Sequence, residues 1–165
     1  MFKTEDEVEI LRQNGEIVSR ALAEVAKNIR PGITTLALDK IAEQFIRDNG
    51  AEPGFLGYNG YPNTLCTSDN DAVVHGIPSD YVLKEGDIVS VDCGSKYKGF
   101  YGDSAYTFAV GNVSPEVAKL LIVTEECMYR SIEQDVDEAK VGDISYAVQV
   151  HAESNGFSVV RELVG

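Results

Sequence analysis

Basic side chains are scarce in this sequence. Lysine and arginine number 14 against 27 aspartates and glutamates, a net charge of −13. Neutralising phosphates requires clustered Lys and Arg, so this balance excludes a general binder of nucleic acid or of anionic membrane. Cysteine is scarce too: Cys66, Cys93 and Cys127 are odd in number and lack CxxC spacing. That excludes a zinc finger and a disulfide scaffold, points to a reducing compartment, and leaves Cys127 expected as a buried structural thiol. No apolar run approaches the ~18 residues of a membrane span. The first seven residues are acidic and polar, unlike a secretory signal. A cytoplasmic location is the expectation. No Walker pattern or GxGxxG occurs, so no phosphate cradle is implied.

What is present is an ordinary globular composition. Hydrophobic residues make up 44% and charged residues 25%, which excludes collagen-like and disordered chains. The 165 residues suit one domain with a real core. Thr4 and Glu7 form a capping box, and Val8, Leu11, Val18, Leu22, Val25 and Ile29 follow at helical spacing until Arg30-Pro31-Gly32. A second helix opens at Thr34 or Thr35, presents Leu36, Leu38, Ile41, Ala42, Phe45 and Ile46, and ends at Asn49-Gly50. Residues 53–80 are rich in turn formers, with short strands expected at 64–67 and 72–74. Residues 87–110 read as a strand pair around a turn at 96–99. Ser114-Pro115-Glu116 starts a third helix, expected to reach about Asp135, and Val141-Gly142-Asp143 a fourth, ending at Asn155-Gly156. Phe157 to Val160 reads as the beginning of a strand. Two helices closed by Asn-Gly thus occur twice, which suggests either a long repeat lacking its second sheet or two unrelated helical hairpins.

Asp92 and Asp103 lie inside apolar strand text, where an ionised carboxylate is costly unless paired or bound to a cation. A two-residue turn at Tyr97-Lys98 sets them directly opposite each other on one face. A divalent cation between them relieves that repulsion; a bulge at Gly99 instead turns Asp103 to the other face, and a surface role for Asp103 is the alternative. His75 sits between an apolar run and a turn, suited either to proton transfer in a cleft or to a hydrogen-bonded loop. His151 reads as a helix-face residue. The aromatics of Phe55 to Pro62 either line an apolar pocket or pack a loop onto the core.

Several segments carry a resemblance: Gly57-Tyr58-Asn59-Gly60-Tyr61-Pro62 with Asn63-Thr64-Leu65-Cys66, Val73-Val74-His75-Gly76-Ile77-Pro78, Gly86-Asp87-Ile88-Val89-Ser90-Val91-Asp92, and Gly99-Phe100-Tyr101-Gly102-Asp103. In this order and spacing the chain resembles the type I methionine aminopeptidases over essentially its whole length. The resemblance implies an α/β (α+β) pita-bread fold, helices backing an antiparallel sheet, with 1–111 as the first half of one catalytic domain and 112–165 as the start of a second half lacking its strands. It implies removal of the initiator methionine from nascent chains by metal-activated water. Asp92 and Asp103 would be metal ligands, His75 the catalytic and substrate-contacting histidine, and Phe55, Tyr58, Tyr61 and Cys66 substrate-binding residues shaping the methionine pocket. Phe55 departs from the cysteine of many bacterial members. Asn70 and the Ala72 carbonyl fall near a monovalent-cation site of that family.

The complete site of such enzymes takes two divalent ions, among which Co, Mn, Fe, Zn and Ni are not distinguished. Three of its five side-chain ligands fall beyond Gly165, so this chain alone is expected to hold one cation weakly or none and to be weak or inactive. The implied partner is the N-terminal methionine of peptides or nascent proteins, with ribosome proximity the one link to nucleic acid and none to membrane. Two alternatives stand beside it: a non-catalytic half-pita-bread binding module, a homodimer covering its open sheet edge, and a Xaa-Pro peptidase of the same fold.

Overall fold

The computed structural model describes residues 2–161 and 163. It divides into two compact units, Met1–Val113 and Ser114–Gly165.

The first unit is two helices on an antiparallel sheet. Helix α1, Glu5–Ala26, begins at the expected capping box: the Glu7 amide donates to Thr4 Oγ1 at 3.3 Å and the Thr4 amide to Glu7 Oε2 at 2.8 Å. Helix α2, Thr35–Asp48, is capped by the Thr34 hydroxyl. Strand β1, Glu52–Pro53, is a two-residue piece that sequence patterning does not reveal, and its proline is tolerated because it sits at the sheet's edge. Strand β2, Leu65–Asp69, β3, Ile88–Tyr97, and β4, Phe100–Ala109, complete the sheet. Strand β3 is its centre, pairing with β1 and β2 along one side and with β4 along the other. Val89, Val91 and Cys93 point into one core with Ile17, Val18, Ala21 and Val25 of α1 and Leu38, Ala42 and Ile46 of α2. The period-2 alternation therefore leaves Ser90 and Asp92 on the face away from the helices.

The strand expected at 72–74 does not form. Val73 and Val74 are exposed in an irregular loop, because Gly76 rather than this run takes the place beside β2.

The second unit is a helical hairpin. Helix α3, Pro115–Ile132, starts with Ser114 capping the Val117 amide and Pro115 in the first turn, and ends three residues short of expectation. Helix α4, Val141–Ser154, follows. Cys127 is buried as expected, packed with Val123 and Ala152. Residues 157–160 form no strand. Phe157 and Val159 alternate with exposed neighbours and cover that small cluster, so the period-2 signal is real, but no described strand lies beside it to pair.

Candidate metal and substrate site

The site face of the sheet is set by the β3–β4 turn. Lys98 and Gly99 both take positive φ, 48° and 85°, the pair of left-handed residues that a tight hairpin of the correct twist requires. Tyr97 therefore pairs with Phe100, one step along from the expected Tyr97-Lys98 turn. The whole ladder moves by two residues. Asp92 faces Ala105 and Asp103 faces Gly94, so the two aspartates are diagonal neighbours, not directly opposed. A shift of two preserves the face, so both carboxylates still project from the helix-free side. No bulge is needed.

On that face Asp92 is half-buried and Asp103 exposed. Burial, then the neighbouring Asp103 charge, pushes the Asp92 carboxyl up to about 6, while His75 acts in the opposite direction. Asp92 Oδ1 is buried and has no hydrogen-bond partner among the described residues. An unpartnered buried carboxylate oxygen next to a second carboxylate is what a hard cation would satisfy. The donor set is incomplete, however: no group of three His, Cys, Asp or Glu side chains converges among the described residues. The two aspartates fit part of a metal site.

The other predicted residues gather unevenly around this pair. Cys66 faces Asp92 from β2; its thiol is buried, and desolvation pushes it above the usual thiol range. Tyr61 lies beside it, also shifted upward, first by burial and then by Cys66. The Tyr61 hydroxyl contacts the carbonyl oxygens of Leu65 at 2.9 Å and Gly76 at 3.1 Å. The Phe55 ring covers Gly94, opposite Asp103; any Cβ at Gly94 would strike that ring. The Gly54 amide donates to the Gly94 carbonyl at 2.8 Å, which locks the aromatic loop against β3. Tyr58, in a short 3-10 turn, is 70% exposed. His75 is exposed, with its backbone at φ 58°. Asn70 spends its side chain on Asp87 at 3.1 Å and on the Ile88 amide at 3.2 Å.

Sequence reasoning missed Asp39. It is a charged residue on the buried face of α2, one residue from Leu38 and three from Ala42. Its carboxylate accepts from the Thr64 amide at 2.9 Å, the Leu65 amide at 2.8 Å and Asn63 Nδ2 at 2.9 Å. It thereby holds the segment that leads into Cys66. The signal was an acid inside an apolar helical stripe, which is costly unless satisfied. His151 does lie on a helix face, where its Nε2 is 2.8 Å from Glu126 Oε2 of α3.

Residues 9–165 match the model of metallopeptidase family M24. A Clostridium perfringens protein named methionine aminopeptidase is 47% identical over 165 residues, covering all of this chain and 66% of that protein. The crystal structure of methionine aminopeptidase from Thermotoga maritima superposes with a TM-score of 0.97 at 40% identity, covering 100% of this chain and 67% of that one. A Xaa-Pro dipeptidase of Bacillus anthracis gives a TM-score of 0.80 at 24% identity, over 93% of this chain and 42% of its own, a likeness of fold alone. The chain thus spans about two thirds of the length of the methionine aminopeptidases it matches. No helix among the described residues is long and apolar enough to cross a membrane.

Proposed function

The chain belongs to metallopeptidase family M24, and from this we propose that it is part of a methionine aminopeptidase, carrying two of the metal ligands and one wall of the methionine pocket. The observation that carries this reading is the buried, unpartnered Asp92 Oδ1 beside Asp103 and within the influence of His75. The pita-bread architecture, helices behind an antiparallel sheet, supplies the rigid floor on which these groups stand. The Xaa-Pro reading is weaker, since it rests on fold alone.

In this reading Asp92 and Asp103 hold a divalent cation in their ionised forms. Such a cation, when bound, would supply Lewis-acid activation of the scissile carbonyl and of water near neutral pH. Phe55, Tyr61 and Cys66 would offer two rings and a thiol, side chains suited in chemistry to a methionine thioether. Tyr58, exposed in the aromatic loop, contributes to the rim of the methionine pocket. His75, exposed at the edge of this wall, hydrogen-bonds the scissile amide and orients it. The substrate is the N-terminal methionine of a peptide or nascent protein, and the place of action is the cytoplasm, near the ribosome.

Calorimetric titration with Mn²⁺ tests the metal role. Wild type is expected to bind weakly at high Mn²⁺, as two carboxylates allow, and Asp92→Ala combined with Asp103→Ala to weaken binding at least ~10-fold; unchanged binding would remove both residues from the site. Supplying the remaining third of the relatives' length is expected to yield metal-dependent release of methionine from a Met-Ala-Ser peptide. No release, with metal bound and the fold intact, would overturn the peptidase reading.

A second reading is favoured by one feature. Strand β4 runs ten residues and, on its side away from β3, pairs with no described strand. Such an edge invites a second chain. A stable dimer by sedimentation, inactive after completion, would support a non-catalytic module.

A further inference from the structure

His75 has a backbone conformation that a non-glycine residue adopts sparingly, φ 58°, and it sits in an exposed loop. Something must hold it there. The next residue, Gly76, is the anchor. Its amide reaches Ser68 Oγ at 3.2 Å, and its carbonyl accepts from the Thr67 amide at 2.8 Å and faces the Tyr61 hydroxyl at 3.1 Å. The approach is so close that a Cβ on Gly76 would strike the Thr67 carbonyl. Tyr61 has a single hydroxyl proton, shared between the carbonyls of Leu65 and Gly76. It therefore bridges strand β2, which carries Cys66, and the loop that carries His75.

We propose that Tyr61 is a positioning residue: its hydroxyl clamps the Gly76 carbonyl to strand β2 and thereby fixes the His75 backbone beside that strand. This rests on the reading of His75 and Asp92 as parts of one site, and it gives Tyr61 a second task beside lining the pocket. The clamp is built of buried and half-buried groups, so it persists without metal or substrate. The hydroxyl of the neighbouring Tyr58 makes no such link among the described residues, and Tyr58 serves as the control.

The chain itself suffices for the test, because it has only two histidines. Their ring Cε1–H signals separate by NMR and are assigned with His151→Gln. In Tyr61→Phe the His75 signal is expected to move while that of His151 stays. The Thr67 amide, which donates to Gly76, should exchange at least about fivefold faster, with Val91 and Phe108 amides unchanged. Tyr58→Phe should alter neither probe. Asp92→Asn should move the His75 signal on its own. If Asp92→Asn moves it and Tyr61→Phe moves neither probe, the clamp is overturned and the shared site stands. If Asp92→Asn leaves His75 unmoved, the shared site falls and the positioning role with it. Should Tyr61→Phe expose the whole sheet, the wild-type Tyr61 hydroxyl proton decides instead: a slowly exchanging signal with a cross-peak to the Gly76 or Thr67 backbone is expected, and a hydroxyl exchanging as fast as that of the exposed Tyr58 overturns the clamp.

Discussion

The molecule contains two helix pairs built on the same local rules, and they differ in what they bury. Helices α2 and α4 end alike: Asn49 and Asn155 return their side-chain amides to the carbonyls four residues back, at 2.8 and 2.9 Å, and Gly50 and Gly156 follow with left-handed backbones. Yet α1 buries Asn14, Ile17, Val18, Ala21, Leu22 and Val25, and α2 buries Leu38, Ala42 and Ile46, whereas α3 buries only Val123 and Cys127 and α4 only Ala152. Ile122, Tyr129, Ile132, Tyr146 and Val150 remain exposed. Capping and periodicity decide that a helix forms. Burial depends on what packs across it, and in the first unit that is a sheet. The difference also places the chemistry: the described candidate site residues all lie in the unit with the sheet.

The largest effect expected from this contrast is in the cores. Leu38→Ala, at a fully buried position, should cost about 3 kcal/mol, and Val123→Ala about 1 kcal/mol, measured by chemical denaturation. Equal costs would mean that the second unit is packed as tightly as the first. A smaller effect concerns the site face. Asp92 has its pKa raised from the usual 3.8 to about 6, so between those values the folded chain holds a proton that the unfolded chain releases. Stability then falls as pH rises from about 4 to 6. Asp92→Asn should remove that slope and stabilise the metal-free chain at pH 7 by about 1 kcal/mol, after discounting for solvent at a half-exposed group. At pH 3.5 it should change nothing, and added Mn²⁺ should restore stability to wild type only. Thermal unfolding across pH reads all three. The smallest effect belongs to the helical hairpin, where the His151–Glu126 contact is partly exposed. His151→Gln should cost under about 1 kcal/mol; a larger loss would show the hairpin to depend on one polar pair.

Much of this was legible from the chain. The Thr4–Glu7 box, the Ser114-Pro115 start and the Asn-Gly stops placed four helices, because each is a local hydrogen-bonding device. The β3–β4 pair was legible from alternation, but the face of Asp103 stayed open between the two aspartates sharing a side and a bulge turning Asp103 away, until the register decided it. That register was not legible, because it depends on whether Tyr97-Lys98 or Lys98-Gly99 makes the turn, a choice settled by which residues take positive φ. The strands expected at 72–74 and 157–160 failed for a related reason: a strand exists only beside a partner. Asp39 was missed because its role lies in amides 24 to 26 residues away.

By itself the sequence determined the helices, the apolar faces, the family resemblance and the pair of carboxylates eleven residues apart. These are local or near-local properties, carried by spacing and by side-chain chemistry. Only the tertiary structure decided that the two carboxylates sit diagonally, that one oxygen is buried without a partner among the described residues, that Phe55 covers Gly94, and that Tyr61 and Gly76 meet beside strand β2. Each depends on backbone segments distant in sequence meeting within hydrogen-bonding or van der Waals distance, and no spacing along the chain encodes that meeting.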